Sequence, residues 1–252
     1  MSATPGVRLV SLNIEGDKHL PAVTAFLENF RPDLVCLQEV YRDNVDFICR
    51  SVFGDVPHCH AFFPMTLHAT SQGQKKSGIA ILSRGSFKSV SSHYYVGNAE
   101  SLSLTDSRSV TTIRETVGRV LACANVESAC GSTFTICNTH FTWTPDGEAD
   151  DYQREDVATL LRILGLIGKF VLCGDFNAPR GGEIFDLIAS PYKDNVPPGY
   201  TTTIDNALHT SAPLSVVVDG MFTTDGYVVD DFRLWSGISD HCALTATVTC
   251  TP

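Results

Sequence analysis

A chain of 252 residues with 43% apolar and 18% charged residues has the composition of an ordinary folded protein and the length to bury a substantial core. Its formal net charge of −10 argues against sequence-independent wrapping of duplex DNA, which needs many Lys and Arg contacts to phosphates, yet leaves room to grip one phosphate at a metal site. There is no apolar span of about twenty residues, and Met1 to Pro5 lack a basic-then-apolar leader, so a cytoplasmic protein without a membrane partner is expected.

In chain order, residues 7–13 read as a strand closing on the turn Ile14-Glu15-Gly16. Residues 20–30 carry apolar side chains at helical spacing, with Pro21 tolerated in the first turn and Arg31-Pro32-Asp33 as the stop. A buried strand at 34–37 ends in Gln38-Glu39-Val40, and a short helix at 44–52 follows. Residues 58–63, 78–83, 86–96 and 117–126 look like strands of mostly antiparallel sheet. Another strand, 133–138, runs into Thr139-His140-Phe141-Thr142-Trp143.

The segment 148–167 places Val157, Leu160, Leu161, Leu164 and Ile167 on one helical face, with acids early. It leads to 169–173, an apolar run that reads as a strand buried on both faces and ends in Gly174-Asp175-Phe176-Asn177. A short helix at 184–188, a loop at 190–210 and strands at 214–223 and 227–235 come next. The last strand, 243–249, is entered through Gly237-Ile238-Ser239-Asp240-His241. No repeat or linker divides the chain, so one domain spanning 1–252 is predicted. The loops at 70–77 and 197–208 are long enough to face a substrate.

Nine cysteines without a Cys-x-x-Cys pair predict neither a disulfide framework nor a zinc ribbon. Cys36, Cys123, Cys137 and Cys173 lie in apolar runs and are expected to be small buried hydrophobes. His58-Cys59-His60 could seed a metal site, but alternation there fits a strand with both imidazoles on the wet face.

The strand ends form a pattern: Asn13 with Glu15, then Glu39, His140, Asp175 with Asn177, Asp219, and Asp240 with His241. Singly, each has a plain reading as a turn cap, a solvated acid or a core imidazole. Together, oxygen donors after buried strands are what a hard divalent ion needs when water and phosphate fill its other positions.

Asn13-Ile14-Glu15-Gly16, Leu37-Gln38-Glu39-Val40, Thr139-His140, Gly174-Asp175-Phe176-Asn177, Val218-Asp219-Gly220 and Ser239-Asp240-His241 resemble, in order, the motifs of the endonuclease/exonuclease/phosphatase superfamily. The resemblance implies a four-layer α/β sandwich, two central mostly antiparallel sheets flanked by helices. It implies Mg2+ on Glu39, with Glu15 and Asp240 adding carboxylate, and Mn2+ as a substitute. Asp175 would deprotonate the attacking water, Asn177 and Asn13 would hold water and phosphate, and His241, oriented by Asp219, would donate to a phosphate oxygen. His140 would be a second imidazole on the phosphate.

Asn-x-acid-Gly at 13–16 is similar to the tyrosyl-DNA phosphodiesterase and abasic-site endonuclease branches, with Glu15 where those usually carry Asp. Thr139-His140-Phe141 and Gly199-Tyr200-Thr201-Thr202 look more like the former branch. The expected function is therefore a Mg2+-dependent phosphodiesterase acting at nucleic-acid ends, in DNA repair, as a monomer. A small phosphate ester is the alternative substrate, and a non-catalytic binding module the alternative of another class. Phe141, Trp143 and Tyr200 could stack on bases, and Lys75, Lys76, Arg84 and Arg180 could meet the backbone.

Overall fold

A computed structural model of the chain describes residues 6–55, 59–70, 73–104, 109–128, 131–210 and 213–251. Strand β1 (Val7–Asn13) leads through α1 (Leu20–Phe30) into β2 (Leu34–Tyr41), and α2 (Arg42–Phe53) follows at once. Strands β3 (His60–Phe62), β4 (Met65–Thr70), β5 (Gly73–Ser83), β6 (Phe87–Val96) and β7 (Leu102–Ser103) precede the short helix α3 (Val110–Thr116). A hairpin of β8 (Arg119–Glu127) and β9 (Thr133–His140) is joined by α4 (Asp151–Ile167) to β10 (Val171–Asp175). Helix α5 (Glu183–Ala189), β11 (Lys193–Asp194), β12 (Asp219–Thr223), β13 (Tyr227–Trp235) and β14 (Ala243–Cys250) complete the chain.

Among the described residues the strands form two sheets. The first runs β13-β14-β1-β2-β5-β4-β7, with β3 also paired to β5, and the second runs β11-β12-β10-β9-β8-β6. Pairing is antiparallel except at β1/β2, β9/β10 and β4/β7. Parallel neighbours need long crossovers, and α1 and α4 supply two of them.

Three apolar layers show how the sheets stack. Leu9, Cys36 and Ile81 of the first sheet face Ile136, Val171 and Met221 of the second. On the outer side of the first sheet, Val10, Val35 and Leu37 pack under Val23, Leu27, Val45 and Ile48 of α1 and α2. On the outer side of the second, Leu121 and Leu172 pack under Val157, Leu160 and Leu164 of α4 and Phe185 of α5. The result is the expected four-layer α/β sandwich. Strands covered on both faces need apolar residues throughout, which is why β1, β2 and β10 read as continuous hydrophobic runs.

One polar contact crosses the middle layer. Asn138 of β9 donates from Nδ2 to the carbonyls of Leu37 (2.9 Å) and Ala80 (3.0 Å), and its Oδ1 accepts from Gln38 Nε2 at 2.7 Å. Leu37 and Ala80 are the last regular β2–β5 pair before the register shifts toward Val40. The bulge holds Glu39 at φ +54°, a left-handed conformation that breaks the strand's alternation. Gln38 thereby reaches the second sheet while Glu39 turns to the strand ends.

Several sequence expectations change. Residues 65–83 form the β4–β5 hairpin rather than a loop at 70–77, of which 71 and 72 lie outside the described residues. The strand expected at 214–223 begins only at Asp219, because 213–218 packs irregularly against the 200–205 segment. Helix α3, β4, β7 and β11 had no legible sequence signal. Cys49 and Cys59 form a disulfide that ties α2 to the start of β3, against the expectation of unpaired thiols; Cys36, Cys123, Cys137 and Cys173 are free and buried as expected. His58 lies outside the described residues, and His60 packs its ring edge-on to Phe87, so no metal site forms on that triplet among the described residues.

Asn138→Ala would remove the bonds to two buried carbonyls and leave the Gln38 amide only its long contact to Ser11 Oγ in a dry layer. It is expected to cost about 3 kcal/mol or more of stability. The half-buried Asn125→Ala, which loses a bond to Ser89 and one from Thr135, should cost less, about 1 kcal/mol. Urea unfolding of both variants checks this; equal small losses would contradict the inter-sheet role.

Candidate active site

The carboxyl ends of β1, β2, β9 and β10 come together at one edge of the sandwich, and the chain turns sharply as it leaves each of them. Of the five non-glycine residues with positive φ among the described residues, Glu15, Glu39 and Asn177 lie at these ends. Each such conformation costs of order 1 kcal/mol. The cost goes into swinging polar groups sideways into a common space. Gly174 shows the tightness of the packing: a Cβ there would collide with the carbonyl of Thr139 on the neighbouring strand.

Asn13 is the hub. Its Nδ2 donates to Glu39 Oε1 at 3.1 Å and to Asp175 Oδ2 at 3.0 Å, while its Oδ1 accepts from the backbone N–H of Glu15. Asp175 is 1% exposed, and its Oδ1 accepts from the Asn177 backbone N–H at 2.8 Å. His241 turns Nε2 toward Asp175 Oδ2 at 3.8 Å and bonds Asp219 Oδ2 through Nδ1 at 2.9 Å. His140 Nε2 stands 3.6 Å from Asp175 Oδ2 and 3.8 Å from Glu39 Oε1. A chain of contacts thus joins Glu39, Asn13, Asp175, His241 and Asp219, residues spread over most of the sequence.

Burial and charge give these groups different protonation. Burial raises Asp175 from 3.8 to about 6, with the Asp219 charge adding and the His241 charge and the bonds to Asn177 and Asn13 opposing. Burial works against charging His241, but the charges of Asp219 and Asp175 and the Asp219 hydrogen bond outweigh it, so its pKa lies well above 6.5. His140 goes the other way: burial, then the positive charges of Arg119 and His241, hold it neutral. Proximity to two carboxylates favours a charged His140, yet the buried ring and the two cations prevail.

Both ends of the Asn13 amide bond protein groups, Nδ2 to the Glu39 and Asp175 carboxylates and Oδ1 to the Glu15 N–H. Asn177 likewise spends Nδ2 on the Phe141 carbonyl at 2.9 Å. Glu39 keeps Oε2 free of protein hydrogen bonds and has a side chain 42% exposed. Glu15 and Asp240 come within 4.8 Å of each other together with His19, a residue the sequence reading passed over. Glu39 thus offers one open carboxylate at the cleft, and Glu15, His19 and Asp240 form a separate group whose ligand atoms lie close enough to share a divalent ion.

Beside these groups opens a cleft of about 520 Å³, walled by Trp143, Ile113 of α3, Thr66 and His68 of β4, Arg119 and His140. Trp143 is 39% exposed, and its carbonyl is gripped by the buried Arg114 at 2.6 Å. Tyr200 and Arg180 do not line this cleft. Tyr200 packs on Phe232, and Arg180 is spent on the carbonyls of Val196 and Pro197 and the carboxylate of Asp194. Arg84 lies over Phe53 beside Asp33, whereas Lys75 lies near the mouth over Tyr41. Phe141 is fully buried under Tyr95 and cannot stack on a base. The 197–208 loop, expected to face substrate, instead buttresses the site: Asp205 N–H bonds the Asp240 carbonyl, and Thr203 Oγ1 receives the N–H groups of Val218 and Asp219.

Among residues missed from sequence, Gln38 and Asn138 had a usable signal, since each is an amide inside an apolar strand. Arg119 had none. Its Nη1 reaches the His140 carbonyl, and its Nε is buried without a partner.

A carboxyl whose pKa rises on folding binds its proton more tightly in the native state, so its contribution is intact below 3.8 and is lost as pH climbs through about 6. Asp175→Asn removes that penalty. Its unfolding free energy should exceed that of the parent by about 1–3 kcal/mol above pH 7, with the gap closing toward pH 4. Hydrolysis should fall by about a thousandfold or more. Denaturant melts across pH, beside activity, check both; a variant less stable than the parent at pH 8 refutes the electrostatic account.

Comparison with known proteins agrees with this arrangement. A model of the Endonuclease/Exonuclease/phosphatase family matches residues 10–241. No curated protein sequence matches the chain. Among solved structures, the chain is similar to an endonuclease/exonuclease/phosphatase from Bacteroides vulgatus, at 18% identity and a TM-score of 0.73 over 98% of this chain and 100% of that one. It is also similar to the Bacteroides thetaiotaomicron mannosyl-6-phosphatase, at 13% identity and a TM-score of 0.70 over 96% and 99% of the two chains. The human Nocturnin catalytic domain with bound sulfate gives 16% identity and a TM-score of 0.70 over 100% and 97%. At such identities structural likeness speaks for the fold, and the family match over nearly the whole length adds the chemistry. The chain belongs to the Endonuclease/Exonuclease/phosphatase family and is a hydrolase of phosphoester bonds.

Proposed function

We propose that the protein is a Mg2+-dependent phosphodiesterase, with Mn2+ as a substitute, that cleaves a phosphodiester at the end of a nucleic-acid strand, acting as a monomer in the cytoplasm. The observation that carries the catalytic part is the pairing of a buried carboxylate poised near neutrality, Asp175, with a charged imidazole, His241, across one small space. Bound at Glu39, Glu15 and Asp240, the ion would polarise a phosphoryl oxygen and offset charge on the leaving oxygen.

The chain's own groups supply the rest. Asp175 accepts the proton of the attacking water, and its orientation is fixed by Asn13 on Oδ2 and the Asn177 N–H on Oδ1. His241, with Nδ1–H committed to Asp219, presents Nε2–H to a non-bridging phosphate oxygen. His140, kept neutral, can donate one N–H without adding charge. Attack and departure then occur in line, with no covalent enzyme intermediate.

Support for a strand end, rather than duplex, comes from the cleft. Its volume suits one or two nucleotide-sized units, and Trp143 offers a stacking face. A second reading, hydrolysis of a small phosphate ester, is favoured by the pairing of two lysines near the mouth, Lys18 with Glu15 and Lys75 with Asp17.

Purified protein should be assayed with Mg2+, and with chelator, on single-stranded DNA bearing a 5′-phosphotyrosine, an abasic duplex, plain duplex, and sugar and inositol phosphates. Chelator-sensitive cleavage of the single-stranded end is expected; turnover of the small esters alone would replace the nucleic-acid reading by the second one. Trp143→Ala should raise KM for the oligonucleotide by about tenfold, the order expected from losing one stacked base, and leave KM for a sugar phosphate near its parent value.

A further inference from the structure

His19 stands at the N-cap of α1, where Ser, Asp or Asn would accept a hydrogen bond from the first turn. It makes no such bond. Its Nε2 is instead directed at Glu15 Oε2, 3.0 Å away, with a side chain only 13% exposed. Ligand atoms of Glu15, His19 and Asp240 all lie within 4.8 Å of one another. Two donors at right angles on an ion, each about 2.1 Å from it, are about 3.0 Å apart, so the Glu15–His19 hydrogen bond brings the two atoms to a separation that neighbouring ligands can also adopt.

The neighbourhood prepares the Glu15 carboxylate for this. Lys18 Nζ holds Oε1 at 2.8 Å, leaving Oε2 facing the imidazole. The Asn13 Oδ1 bond to the Glu15 N–H fixes the backbone from which that carboxylate departs.

We infer that His19 is a nitrogen ligand of the divalent-ion centre, joining Glu15 and Asp240 to make a mixed oxygen and nitrogen site that prefers Mn2+ or another transition ion to Mg2+. The inference rests on the metal-dependent reading above and puts Mn2+ ahead of Mg2+ as the preferred ion. An all-oxygen site suits Mg2+, whereas imidazole adds affinity for first-row transition ions and little for Mg2+. His19 is not the group that activates water or contacts phosphate; it selects the ion.

The test uses the full chain at pH 8, with MnCl2 and MgCl2 as probes. His19→Asn is the variant of choice, because Asn is a good N-cap and should preserve α1. Pulsed EPR of the Mn2+-loaded parent should show coupling to imidazole nitrogen that is diminished or lost in His19→Asn. Calorimetry should show Mn2+ affinity falling by at least about tenfold, while Mg2+ affinity changes by less than about threefold; even loss of an outer-shell partner of a metal ligand costs this much. Unchanged nitrogen coupling, or equal losses for the two ions, overturns the role of His19 and leaves the metal-dependent reading standing. Failure of the parent to bind either ion overturns both.

Discussion

The site depends on a buried amide bridge between the two sheets. Sheets stacked face to face through apolar side chains can slide, because hydrophobic contact has no direction. Hydrogen bonds do. Asn138 of the second sheet donates to carbonyls of two strands of the first and accepts from Gln38, so a slide would leave several polar groups unsatisfied in a dry layer. The bridge lies beside the chemistry: Glu39 follows Gln38, and His140 comes two residues after Asn138. It therefore fixes the distance between an acid on one sheet and an imidazole on the other.

Holding these strand ends in register lets the protein tolerate an electrostatic arrangement that would otherwise be unfavourable. Asp175, Asp219 and His241 are all nearly excluded from water. Burial of a charge is offset only by partners and hydrogen bonds. Asp219 and His241 offset each other directly, while Asp175 is left partly uncompensated and its pKa rises to about 6. That residual imbalance is what the proposed role of Asp175 as base draws on. The left-handed backbone at Glu15, Glu39 and Asn177 is a further local cost located at the same edge.

Segments without a catalytic group of their own shape access. Arg114 ties α3 to the Trp143 carbonyl and to Asp150, the N-cap of α4, so one wall of the cleft is anchored to a core helix. The 197–208 segment fastens the backbone that presents Asp219 and Asp240. Length alone did not separate a loop that meets substrate from one that braces the site.

The sequence by itself made the buried strands, the long helices and the polar groups at the strand ends legible, and its resemblance to a known family implied the four layers. Strands buried on both faces must be apolar throughout, so β1, β2 and β10 were legible, and the polar residues that end those runs stood out as Asn13, Glu39 and Asp175. Amphipathic periodicity made α1 and α4 equally plain. Short edge strands such as β4 and β7, and the seven-residue α3, carry too few residues for a period to show. The pairing of Cys49 with Cys59, the diversion of Arg180 and Tyr200 into packing, the bridging amides of Gln38 and Asn138, and the place of His19 beside Glu15 were decided only by tertiary structure. Local sequence records which groups a segment carries; the direction in which a side chain points from a bulge, a cap or a loop is set by partners far away in the chain.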